Sequence, residues 1–134
     1  MDTVLFFCEH AATRSDSKLT VEGIYNELYA QDFPARQDQL LLAGLIEWDR
    51  DSHGSQHFKI NLLDPDKKPI FTIEGCSEID ERPEHRPPAK THLIFPLDNL
   101  VFVVPGQYQI QLEVSGQQIP GPSLHLMRSE QSSE

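Results

Sequence analysis

Two cysteines, six histidines and 21 acidic residues supply most of the groups that could do chemistry in this 134-residue chain. Cys8 and His10 stand two apart, a spacing that on a strand sends both side chains to one face, as a pair of metal ligands requires. No second Cys/His pair at ligand spacing completes a set, so a packed thiol beside a polar strand end is the favoured reading. The run 49-DRDSHGSQH-57 partly imitates a calcium loop, with Asp49, Asp51, His53 and Gly54 at its first, third, fifth and sixth positions. The imitation fails at His53, where an oxygen ligand belongs, and at Ile60, which stands where a bidentate Glu should close the site. Asp64 and Asp66 of 64-DPDK-67 could be recruited from a second loop. A strand over 56–63 would hold the two loops about 25 Å apart, however, so a solvated turn is favoured.

For nucleophilic catalysis, 75-GCSE-78 offers Cys76, and a histidine could act as base. There is no Gly-x-Ser-x-Gly elbow and no helix N-terminus to activate the thiol. A triad can hide in sequence, but a small fold lacking long functional loops has few places to build a closed site. Carboxylate pairs in so acidic a chain are solvated surface before they are general acid and base. No catalytic, cofactor-binding or metal residue is assigned. The local concentration of positive charge is 82-RPEHRPPAK-90, where Arg82, His85, Arg86 and Lys90 form a candidate partner-binding loop. They could dock an acidic partner or lie against the protein's own Glu74, Glu78 and Asp80, the simpler arrangement.

The balance of 21 acidic against 11 basic residues, a formal charge of -10, repels phosphate backbones and anionic lipid, so neither nucleic acid nor membrane is an expected partner. No apolar run approaches the roughly 20 residues of a membrane helix. The N-terminal run 4-VLFFC-8 lacks a preceding basic residue and is too short for an export core. Two cysteines make no dense disulfide framework, so both are read as reduced thiols in a cytoplasmic protein.

The elements that must position these groups read as strands. In 107-QYQIQLEVSG-116, Tyr108, Ile110, Leu112 and Val114 alternate with polar residues, and Ser115-Gly116 turns the chain into 117-QQIPGPSLHLMR-128. Pro120 and Pro122 suit an edge. Phe58, Ile60 and Leu62 form a stripe that turns at 64-DPDK-67 into a strand carrying Phe71 and Ile73. The run 39-QLLLAGLIEW-48 could be a helix, but Gly44 in its middle and the absence of a cap favour a strand buried on both faces. Strands are thus expected over 3–10, 18–29, 39–48, 56–63, 69–75, 91–97, 100–104, 107–114 and 122–128, with an exposed connection over 78–90. The expected fold class is all-β: a single sandwich over 1–128 of about eight or nine mostly antiparallel strands, immunoglobulin-like in outline, with a disordered acidic tail over 129–134.

Lys18, Leu19, Gly23, Ile24 and Tyr25, running toward Phe33-Pro34, together with Gly106 and Tyr108 near the other end, resemble a bacterial family of small β-sandwich proteins classed as a domain of unknown function. The resemblance implies a strand through 18–29 with a bulge or bend at Gly23, and it implies no activity. The functional expectation is a non-catalytic protein-interaction or assembly module, with a protein partner and a possible homodimer, no cofactor and no enzymatic step. The alternatives are a small-ligand or carbohydrate-binding sandwich, which needs an exposed aromatic such as Trp48, Tyr25 or Tyr29, and a small hydrolase using Cys76 or a histidine.

Overall fold

The computed structural model describes residues 1–81 and 83–129, and every regular element among them is a β-strand. In chain order these are β1 (Asp2–Cys8), β2 (His10–Thr13), β3 (Leu19–Glu22), β4 (Glu27–Ala30), β5 (Ala35–Glu47), β6 (Gly54–Leu63), β7 (Pro69–Ile79), β8 (Lys90–Phe102), β9 (Gly106–Val114) and β10 (Gln117–Arg128). They form a three-stranded sheet in the order β1-β5-β8, a five-stranded sheet in the order β4-β10-β9-β6-β7, and the β2-β3 hairpin, which lies against β5 and β8. One sheet curls into a half-barrel. Among the described residues no helix is long and apolar enough to cross a membrane.

Alternation accounts for the core. Leu5 and Phe7 of β1, Leu40, Leu42 and Ile46 of β5, and Leu93 and Leu97 of β8 meet Ile60 and Leu62 of β6, Tyr108 to Val114 of β9, and Leu124 and Leu126 of β10 in one buried cluster. Each such side chain contributes roughly 1.5–3 kcal/mol of hydrophobic stabilisation as an upper bound. The run 39–48 is a strand, and its inner residues Leu40, Leu42 and Ile46 are at most 1% exposed. Gly44 lies opposite Leu5 of the neighbouring β1, and a Cβ at that position would sit 1.8 Å from the Val4 carbonyl oxygen. Ser115 and Gly116 both have positive φ, 49° and 83°, and join Val114 to Gln117 in the two-residue turn whose twist matches the flanking strands.

Four expected strands change shape. The first ends at Cys8, and after a bend at Glu9 the chain starts β2 in a different sheet. The stretch 18–29 is two strands, because Gly23 turns the chain with φ 68°. Conversely, 91–97 and the first part of 100–104 are one continuous strand, β8, which ends at Phe102 and in which Asn99 absorbs the irregularity with φ 56°. At the following corner the Tyr108 hydroxyl donates to the Val104 carbonyl at 2.7 Å, and its ring meets Phe102 edge-on with centroids 4.9 Å apart. At the C-terminus the Ser129 amide donates to the Ala30 carbonyl, while the rest of the expected tail, 130–134, lies outside the described residues.

The bend at Gly23 has a topological consequence. Tyr25 donates its backbone N–H to the Phe7 carbonyl at 2.9 Å, making a bridge to β1. Two residues later β4 begins its parallel pairing with β10, supported by a His125 N–H bond to the Asn26 carbonyl at 2.8 Å. The segment Tyr25–Ala30 therefore ties the edge of one sheet to the edge of the other. On the opposite flank β7 and β8 are both terminal strands.

Candidate functional site

The open flank is built from β7, β8 and the connection between them. Ser115 donates its backbone N–H to the His57 carbonyl at 2.9 Å, so the backbone of His57 faces β9. Alternation then turns Phe58 and Ile60 toward their partners Gly75 and Ile73, and leaves the N–H and C=O groups of Thr72, Glu74, Cys76 and Glu78 pointing away from the sheet. The pairing that carries this edge is regular from Phe71 to Ile79, with no bulge and no proline. The β8 edge differs. Trp48 donates its backbone N–H to the Ala89 carbonyl at 2.8 Å, which fixes Thr91, Leu93, Phe95 and Leu97 as the residues facing β5. The outward set includes Pro96, whose missing N–H interrupts the row of donors.

The two edges touch near one end. Ser77 and Thr91 share a hydroxyl hydrogen bond of 2.7 Å, and Trp48 Nε1 donates to the same Thr91 hydroxyl at 2.8 Å. Trp48 is 3% exposed and cannot present its ring to a sugar. Tyr108 is buried too, Tyr25 is half-buried, and the exposed Tyr29 hydroxyl donates to Glu27 at 3.1 Å.

The candidate loop connects the two edges of this flank. Pro83 to Arg86 form a turn through an Arg86 N–H bond to the Pro83 carbonyl, and Arg50 clamps it by donating through Nη1 to the carbonyls of Glu84 at 2.9 Å and Arg86 at 2.6 Å. Ile79 and Ala89, 7% and 9% exposed, pin its two ends into the core. His85 and Arg86 are exposed on the turn. Lys90 is already on β8 and pairs with Glu47 at 3.6 Å, and Arg82 lies outside the described residues. Of the acidic anchors expected for this loop, Glu74 pairs with Lys59 at 3.8 Å; a guanidinium on backbone carbonyls holds the turn.

The other candidates separate. Cys8 is buried, which pushes its thiol pKa up, and His10 is exposed on the next strand, so the two do not share a strand face. Asp64 spends one carboxylate oxygen on the amides of Asp66 and Lys68, at 2.9 and 2.8 Å, which caps the β6–β7 turn. Asp49 pairs with the amino group of Met1 at the other end of β6. Among the described residues no three His, Cys, Asp or Glu side chains gather as metal ligands. Cys76 has company that its sequence neighbours do not announce. Its Sγ lies 3.1 Å from the Ser55 hydroxyl and 3.4 Å from His57 Nδ1, all on the solvent face. Hairpin arithmetic held the signal, because a turn centred between Asp66 and Lys67 sets His57 opposite Cys76.

The sequence model of DUF6941, described as a family of unknown function, matches residues 3–127. The chain belongs to that family. No curated protein matches the chain. The family match spans the Gly23 bend, both flanks and the Tyr108 corner, so the closed and open sides belong to one family domain.

Proposed function

We propose that this DUF6941 chain is a non-catalytic interaction module that takes up an extended segment of a partner protein along β7. The observation that carries the reading is the regular, proline-free row of outward backbone groups from Thr72 to Glu78, beside a β8 edge interrupted by Pro96. Main-chain hydrogen bonds would supply affinity, and Glu74 and Glu78 would select a strand carrying Lys or Arg four residues apart. A homodimer through the same edge is less favourable. Antiparallel pairing of β7 with itself about Cys76 sets Glu74 against Glu78, and pairing about Glu74 sets that residue against its own copy. We read the two sheets and their single core as a sandwich of immunoglobulin-like outline, a reading supported by the Tyr108 corner. Two free thiols favour a cytoplasmic setting.

The test is affinity capture from the native cytosol with the wild-type chain, Glu74→Pro and Glu74→Lys side by side. Proteins retained by the wild type, lost with both variants and released by moderate salt would support the reading. Equal retention by the proline variant would overturn it, as would a wild-type chain whose native mass carries a small molecule and that retains no protein.

A further inference from the structure

We propose that Cys76 is a thiol-exchange site for small neutral or cationic disulfides, with His57 as its base and Ser55 as a donor to the sulfur. Cys76 and His57 are partners across the β6–β7 ladder, which places both side chains on the same face. The sulfur lies beside the imidazole, 3.4 Å from Nδ1 and 3.8 Å from Nε2, so a rotation of the ring brings one nitrogen into line for proton transfer. The Ser55 hydroxyl, 3.1 Å away, can donate to the negative sulfur that forms. A hollow of about 590 Å³ opens beside the thiol, floored by Lys59 and the turn at Ser115 and Gly116. A side chain on Gly116 would meet nothing within 4 Å, so the approach is unobstructed on that side.

The charges around the pair set the class of reactant. His57 and Lys59 on β6 face Glu74 on β7 and Glu113 on β9, with Glu78 further along β7. Lys59 is already paired with Glu74 at 3.8 Å, so the hollow presents net negative charge and disfavours an anionic disulfide. In the reaction the S–H bond of Cys76 breaks and its proton goes to the imidazole as the sulfur forms a bond to one sulfur of the incoming disulfide. The S–S bond of the disulfide breaks, and the departing thiolate takes the proton that His57 holds. Cys76 is oxidised to a mixed disulfide, and half of the small disulfide is reduced to a thiol.

The experiment follows release of thiopyridone from 4,4′-dithiodipyridine by the full chain between pH 5 and 9.5, with intact mass to count adducts. One fast adduct per chain is expected, absent in Cys76→Ser, while the buried Cys8 stays unmodified. At pH 7 the native rate should exceed that of N-acetylcysteine amide by about threefold or more, and His57→Gln should remove that advantage. The gap should close above pH 9, where solvent ionises a thiol without help from a base. Ser55→Ala should give a smaller loss. His57, Ser55 and Cys76 are all solvent-facing, so the variants are expected to fold, with Trp48 near-ultraviolet circular dichroism as the check. A native rate no greater than that of the small thiol, or a pH profile that His57→Gln leaves unchanged, would overturn the proposal.

Discussion

The two flanks of this domain treat the same liability in opposite ways. Where the two sheets end at β1 and β4, the chain runs directly from one edge to the other. Tyr25 bonds to Phe7 and β4 pairs with β10, so one short segment links both sheets through its backbone. Where the sheets end at β7 and β8, no comparable segment is inserted among the described residues. The edges meet through two hydroxyls and an indole N–H, with an arginine-clamped turn alongside. Buried hydrogen-bonded backbone resists opening, whereas an unpaired edge is available to a partner. The difference sets a flank bridged by its own chain against one whose strand edges stay open, and it can be broken from either side.

The largest effect is expected from Gly44→Ala. The new methyl would meet the Val4 carbonyl and the Leu5 backbone, which cannot move aside as a flexible side chain can, so β1 would lose its seat on β5 and the closed flank its anchor. A cost of about 3 kcal/mol or more, read as a fall in the urea midpoint, is expected. Two proline substitutions set the flanks directly against each other. His125→Pro removes the N–H that meets the Asn26 carbonyl and should cost roughly 3 kcal/mol. Glu74→Pro removes an N–H that already points outward and should cost about 1 kcal/mol while abolishing partner retention. Equal costs in urea denaturation would dissolve the distinction between the flanks.

Much of this architecture was legible in the sequence, and the misses have physical causes. Period-two alternation from Tyr108 to Val114 gave a strand whose four apolar residues are each at most 1% exposed, and Ser115-Gly116 gave its turn. Alternation carries no information about which sheet a strand joins, so the transfer at Glu9 and the return at Tyr25 were hidden inside two apparently simple strands. Asn99 takes a left-handed conformation without ending the ladder, so the apolar runs on either side of it belong to one strand. The candidate site was half legible. Composition marked the 82–90 loop, but its clamp, Arg50, is contributed by a turn that reads as solvated acid. The Cys76–His57 pair needed hairpin register, which depends on where a turn is centred rather than on residue type.

Titration should open the closed flank before the other. Burial pushes the Tyr25 phenol up to about 12 from its ordinary 10.0, with the charges of Cys8 and Glu9 adding to the effect. The unfolded chain therefore loses this proton near pH 10 while the folded chain keeps it. The contribution of Tyr25 is full below pH 10 and is lost progressively as pH rises to about 12. Tyr108, also raised by burial, bends the curve in the same direction. Stability measured in urea from pH 9 to 12 should fall less steeply for Tyr25→Phe than for the wild type. Parallel curves would show that the phenol is not sequestered as its burial requires.

The smallest effect is expected at the loop clamp, and it is the sharpest probe of the open flank. Arg50 donates to two carbonyls, yet it is exposed, and water can replace much of what its removal takes away. Arg50→Ala should therefore lower global stability by only about 1 kcal/mol or less. Its consequence should be local, because the turn keeps the Arg86 to Pro83 bond and its buried anchors at Ile79 and Ala89 but loses the hold on its middle. Hydrogen exchange is expected to accelerate at His85 and Arg86 and to remain unchanged at Leu112 in the core and at Tyr25 on the closed flank. Faster exchange spreading to Tyr25 would mean that the flanks open together, and the division of labour between them would fail.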